Sequence, residues 1–258
     1  MRYNRIIKQV MAVLSITIFI NQLCPGQELK REEIQAITNF INYVKEDKKE
    51  AIAAIVSYPL KREYPIPSIK DKQDFVKKYE QIFDSTLIEL IITSDPLKDW
   101  DKMGWRGIML GQGEVWIDYD GKIIAINYQS LEERELRKSL LKSDKSKLHS
   151  SLAFFKGPVC ILETPKTRIR IDEVSDNNFR YASWPLGKPM SEKPDNILRN
   201  GTISISGTGG NHSYLFKYGE LLYECYISVL GTSDSAPATV TISKGDIIIS
   251  SENANIMR

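Results

Sequence analysis

The sequence predicts an α+β chain, with helices and an antiparallel sheet in the first half and an all-β sandwich or small barrel in the second. Three observations carry this. Apolar residues Ile34, Ile37, Phe40, Ile41 and Val44 recur at three and four positions, as on one face of a helix. From Trp105 the period drops to two, as in strands. Beyond Phe155 helical spacing disappears, and short apolar runs alternate with Gly, Pro, Asn and Asp.

Residues 1–26 read as a signal peptide. Arg2, Arg5 and Lys8 precede an apolar run from Val10 to Ile20, and Cys24-Pro25-Gly26-Gln27 offers a cut after Gly26. The run is shorter than the about 20 apolar residues that span a bilayer, so no integral span is expected in the mature chain. Lipidation at Cys24 and an uncleaved anchor are the alternatives. The expected location is periplasmic or secreted.

The first domain, 27–130, opens with the helix of Ile34 to Val44. Pro59, Pro65 and Pro67 break helical continuity, since proline lacks a donor and restricts its predecessor. Ser68 with Asp71 reads as a capping pair for a second helix that presents Phe75, Tyr79, Ile82 and Phe83. Leu87, Leu90 and Ile91 continue the helical pattern. Trp105–Leu110, Glu114–Tyr119 and Lys122–Tyr128 read as three antiparallel strands. Asp120-Gly121 signals a two-residue hairpin that would pair Ile117 with Ile124 and Val115 with Ile126. Residues 131–151 are charge-rich and read as a solvated linker or helix.

The second domain, 152–258, shows eight runs: 159–162, 167–171, 179–184, 202–206, 214–218, 221–230, 239–243 and 246–250. Alternation from Leu221 puts Tyr223, Cys225, Ile227 and Val229 on a core face. Cys160 and Cys225 both fall in such runs, and an export compartment would permit either a bridge or two buried thiols.

Composition excludes some partners. Net charge is +2 across 258 residues, which gives no argument for nucleic acid. Two histidines and three cysteines form no cluster with zinc spacing, and no cofactor loop is present, so neither metal nor cofactor is expected. Gly207-Thr208-Gly209-Gly210-Asn211-His212 is glycine-rich, but a strand follows it where a phosphate cradle needs a helix. His212 has no serine or cysteine in a nucleophile context.

From Tyr58-Pro59-Leu60 through Asp74-Phe75, Tyr79, Ile82-Phe83, the stretch from Gly107 to Trp116, and Lys122-Ile123-Ile124-Ala125-Ile126-Asn127, the chain resembles a group of exported bacterial proteins. Lys193-Pro194-Asp195 and Gly209-Gly210-Asn211-His212 repeat a pattern of the same group. Their first domain is similar to the nuclear transport factor 2-like (NTF2-like) fold. The resemblance therefore implies an α+β class in which N-terminal helices pack on a curved antiparallel sheet, followed by an all-β sandwich or small barrel. That fold hosts isomerases, dehydratases and binding modules alike, so the resemblance implies no particular activity.

Strand alternation sets Val115, Ile117, Ile124 and Ile126 on the core side of the sheet. The other side then carries Trp105, Glu114, Trp116, Asp118 and Asn127, the candidate ligand-binding residues. A turn at Gly111-Gln112 would set Gly107 beside Trp116 and leave room for a bound group. The expected function is a non-catalytic binding or accessory module for a protein, a glycan or a small apolar ligand. One alternative is an acid–base enzyme with Asp118 or Glu114 as base. Another is an interaction or inhibitor protein that uses the β-domain surface.

Overall fold

Helix α1 (Arg31–Lys45) turns its apolar stripe inward and buries Ile37, Phe40, Ile41 and Val44. The computed structural model describes residues 28–207, 209–232 and 234–257. The expected signal peptide, including Cys24, lies outside the described residues. Short helices follow: α2 (Lys49–Ala54), α3 (Lys72–Lys77), α4 (Tyr79–Ile82) and α5 (Ser85–Thr93). The cap of α3 is Asp71, which accepts from the Asp74 N–H at 2.9 Å. Ser68 does not serve, because the next residue, Ile69, is drawn into a bridge with Leu60. Phe75, Tyr79 and Phe83 form one aromatic cluster, with Tyr79 and Phe83 stacked at 4.6 Å.

These helices cover an antiparallel sheet in the order β1 (Trp100–Lys102), β2 (Ile108–Leu110), β3 (Val115–Ile117), β4 (Ile123–Ile126). The β3–β4 turn departs from the two-residue hairpin. Asp118 N donates to Lys122 O at 2.7 Å, which leaves a three-residue loop, Tyr119-Asp120-Gly121, with Gly121 at φ +85°. Ile117 therefore pairs with Ile123. A bulge then absorbs Ile124, and the expected pairing of Val115 with Ile126 returns. Ile123 is fully buried, and Ile124 is 37 % exposed on the outer side. The β2–β3 turn spans four residues, so Met109 pairs with Trp116. Gly107 does not make room for a ligand. A Cβ there would lie 2.6 Å from the Ile117 carbonyl oxygen, so the glycine serves a close backbone approach.

The charge-rich segment is helix α6 (Leu131–Lys147), pinned at both ends. Ser130 caps it by accepting the Glu133 N–H at 3.0 Å, and its hydroxyl donates to the Gln81 carbonyl. The buried Glu133 carboxylate accepts from Arg62 Nε at 2.7 Å, and Arg62 also donates to the Ile126 and Tyr128 carbonyls. At the other end Asp144 takes a forked pair of hydrogen bonds from Arg170.

The rest of the chain is a closed barrel of eight strands, each antiparallel to its neighbours: β5 (Gly157–Glu163), β6 (Thr167–Ser175), β7 (Asn178–Pro185), β8 (Asn196–Ser206), β9 (Asn211–Tyr218), β10 (Leu221–Ile227), β11 (Ala238–Lys244) and β12 (Ile247–Met257). Each of the eight apolar runs marks one strand, although 221–230 overruns β10 by three residues and 246–250 begins one residue before β12. Leu162, Ile169, Ile171, Tyr181, Phe216 and Cys225 fill the interior. Gly201 is required inside, since a Cβ there would sit 2.1 Å from the Phe216 ring. Cys160 and Cys225 are buried thiols in this core and are not bridged. Burial and the neighbouring Cys160 hold the Cys225 thiol well above its ordinary pKa. Val229, placed on the core face by alternation, lies beyond β10 and is 52 % exposed.

The outer face of β6 and β7 is covered by α6 and residues 148–155. Leu148, Leu152, Phe155, Ala182 and Trp184 form a second, smaller core there. Within it Asp172 joins Arg170 at 2.7 Å to Arg180 at 2.5 Å, all three buried. Burial alone would lower the Arg170 pKa, and the carboxylates of Asp144 and Asp172 outweigh it and raise it.

The fold class expected from the sequence is overturned. The described residues form six α-helices and two sheets, and the larger sheet is a closed eight-stranded barrel, so the chain is mostly β. The first sheet has four strands of three or four residues each. Closure between β12 and β5 excludes the sandwich.

Three substitutions check this packing. Ile123→Ala should cost about 2–5 kcal/mol in chemical denaturation, as a core cavity, and Ile124→Ala well under half of that. Arg170→Ala should cost about 3–5 kcal/mol, because it removes a partner from a buried carboxylate. The same change should open residues 131–155 to limited proteolysis, which the native chain should resist.

Candidate functional site

The five residues singled out by alternation divide among three places. Glu114, Trp116 and Asn127 converge on the β2–β3 turn. The Trp116 indole N–H donates to the Gly113 carbonyl at 3.0 Å, and Asn127 Nδ2 donates to the same oxygen at 2.9 Å. Glu114 closes the turn by accepting the Gln112 N–H at 2.7 Å. Arg106 lies over the Trp116 ring, 5.7 Å from its centre. One side-chain polar atom from each of the three thus holds the turn. Asp118 stands apart, exposed, and accepts the Tyr119 N–H at 2.7 Å.

Trp105 is elsewhere. It does not lie in a strand but in a 3-10 turn, Gly104–Arg106, and is 58 % exposed. It borders a cleft of about 570 Å³ between the start of α1 and the corner after β1, lined by Lys30, Glu32, Glu33, Lys102, Gly104, Trp105 and Tyr119. At its floor Lys102 Nζ donates to both Glu33 oxygens, at 2.9 and 3.1 Å. Glu33 also accepts the Lys30 N–H at 2.7 Å. Burial pushes the Glu33 pKa up, but the Lys30 N–H and Lys102 prevail and hold it below the ordinary carboxylate range. The Lys102 ammonium sits 4.9 Å over the Tyr119 ring, and the Tyr119 hydroxyl donates to the Gly104 carbonyl.

Sequence reasoning missed Glu33, Lys102 and Tyr119. Glu33 lies in the first turn of α1, where acidic residues are common, and its partner is 69 positions away. Lys102 belongs to β1, three residues whose alternation is too short to read. Tyr119 lies in the three-residue β3–β4 loop, and its hydroxyl turns to the Gly104 carbonyl, 15 positions away.

A second cleft of about 580 Å³ follows the seam of the barrel, lined by Glu163, Thr164, Asp234, Ser235, Asn253 and Asn255 among others. It has no aromatic wall. His212 lies edge-on to Tyr214 and 2.8 Å from the Gly210 carbonyl oxygen, while Asn211 accepts from the Val229 and Leu230 N–H groups. The glycine-rich motif thus braces the barrel end. Trp184 is buried and donates to the Glu192 carbonyl. Among the described residues, no three His, Cys, Asp or Glu side chains are grouped to hold a metal ion. Among them, too, no helix is long and apolar enough to cross a membrane.

The Glu33 environment has a pH signature. A carboxylate held low in the folded state binds its proton more readily in the unfolded chain. Its stabilisation is fully present above about pH 4.3, the unfolded value, and is lost as pH falls through the lower folded value. The melting temperature should fall as pH drops below about 4, and Glu33→Gln should flatten that fall. Thermal unfolding of both proteins between about pH 7 and 2.5 checks it. Comparison with protein-family models, curated proteins and solved structures found no match to this chain.

Proposed function

We propose that this protein is a non-catalytic binding module that holds a small molecule in the first-domain cleft beside Trp105. The single observation that carries the reading is an indole left more than half exposed at the rim of a cleft of about 570 Å³. A large apolar ring at a polar cleft is a usual binding anchor, because it removes much surface from water on contact. The floor is rigid, since Glu33 and Lys102 are buried and mutually bonded. The acid–base alternative has less support. Glu114 is occupied in its own turn, and Asp118 is exposed to water. The charged start and apolar run of residues 1–26, with the resemblance to exported bacterial proteins, support a periplasmic or secreted location.

Mass spectrometry of small molecules released from the protein purified from its native envelope supplies the ligand. Trp105→Ala should weaken its binding by about tenfold or more, with little change in melting temperature. Undiminished binding to that variant would remove the cleft as the site.

A further inference from the structure

Resting on the binding-module reading, we propose that the ligand of this cleft is a neutral saccharide. The balance of charge is the first reason. Lys30 and Lys102 face Glu32 and Glu33 around the cleft. An anion would meet the two carboxylates in the first turn of α1, which already answer the helix dipole. A cation would meet two ammonium groups, and Lys102 already covers the Tyr119 ring.

The second reason is which polar groups remain open. Glu33, Lys102 and the Tyr119 hydroxyl are bonded within the protein. Among the described residues, the exposed Glu32 carboxylate and Trp105 indole N–H make no hydrogen bond or ion pair, and the exposed Lys30 ammonium answers Glu33 only through its charge, with no hydrogen bond. They are one acceptor and two donors around an exposed aromatic face. A purely apolar ligand would leave all three unbonded and desolvated. A pyranose matches them. Its axial C–H face lies flat on an indole, and its hydroxyls both donate and accept, so they can reach Glu32, Lys30 and the indole N–H together.

The test uses the full chain and four probes: cellobiose, N,N′-diacetylchitobiose, glucuronate and the apolar dye anilinonaphthalene sulfonate. Binding is followed by tryptophan fluorescence and by NMR line broadening of the probe. At least one neutral disaccharide should bind saturably. Trp105→Ala should weaken it about tenfold or more, and Glu32→Gln several-fold, with melting temperatures unchanged. Absence of disaccharide binding up to about 20 mM overturns the saccharide assignment. If the dye or glucuronate then binds in a Trp105-dependent way, the binding module survives and only the ligand class falls. Disaccharide binding that is indifferent to both substitutions places the sugar elsewhere and also overturns the proposal.

Discussion

A chain of buried charges on the outside of the barrel fixes how the two halves of this protein meet. Strand alternation turns Arg170, Asp172 and Arg180 outward, where a barrel would normally show them to water. They are buried instead, under α6 and residues 148–155. Taking such ions out of water costs several kcal/mol each, and the cost is offset only when partners are complete. Asp144 must therefore come from α6, and the Leu152 and Phe154 carbonyls must come from the segment that follows, both 2.9 Å from Arg180. A helix displaced by one turn would leave these guanidinium groups unanswered. At its other end α6 answers Arg62 through Glu133. One helix about 25 Å long thus sets the register of both cores.

The barrel itself leaves little space for chemistry. Eight strands enclose an interior just wide enough for side chains, and here Tyr181, Phe216, Leu162 and their neighbours occupy it. Its closure is uneven. β12 meets β5 only at Asn255–Met257, and from Ile247 to Ala254 it pairs with β11 alone. Ile247, Ile248 and Ile249 are each more than half exposed on this stretch. A bulge opposite Ile242 and Ser243 twists the edge there, the usual means of blunting a strand that could template another chain.

Much of this was legible because it is local. The stripe Ile37, Phe40, Ile41, Val44 is a property of one helix, and the eight apolar runs of the second half mark the eight barrel strands. What escaped reading depends on partners distant in sequence. Nothing near Asn255 announces that it pairs with Glu163, so a sandwich and a barrel look alike from the residues. Asp120-Gly121 gave a correct hairpin with the wrong loop length. The extra loop residue moved Ile123 into the core, and the bulge at Ile124 moved the register back. Two compensating irregularities left Val115 and Ile126 as expected while exchanging their neighbours. β1 was invisible because three residues carry no period.

Two tryptophans of the first domain, Trp105 and Trp116, show why residue type on a shared face misleads about function. Trp116, Glu114 and Asn127 do gather, and a polar-aromatic group of that kind looks like a site. The indole N–H of Trp116, the amide nitrogen of Asn127 and one carboxylate oxygen of Glu114 are committed to the turn around Gly113. Trp105 sits among charges that alternation could not foresee, and its N–H and its face remain open. A hydrogen-bonding group already satisfied within the protein gains little from a ligand, because the exchange replaces one good bond by another. An unsatisfied group beside exposed apolar surface gains from both the bond and the burial. The difference between a brace and a site thus lies in satisfaction, which depends on the fold, and only weakly in composition, which the sequence displays.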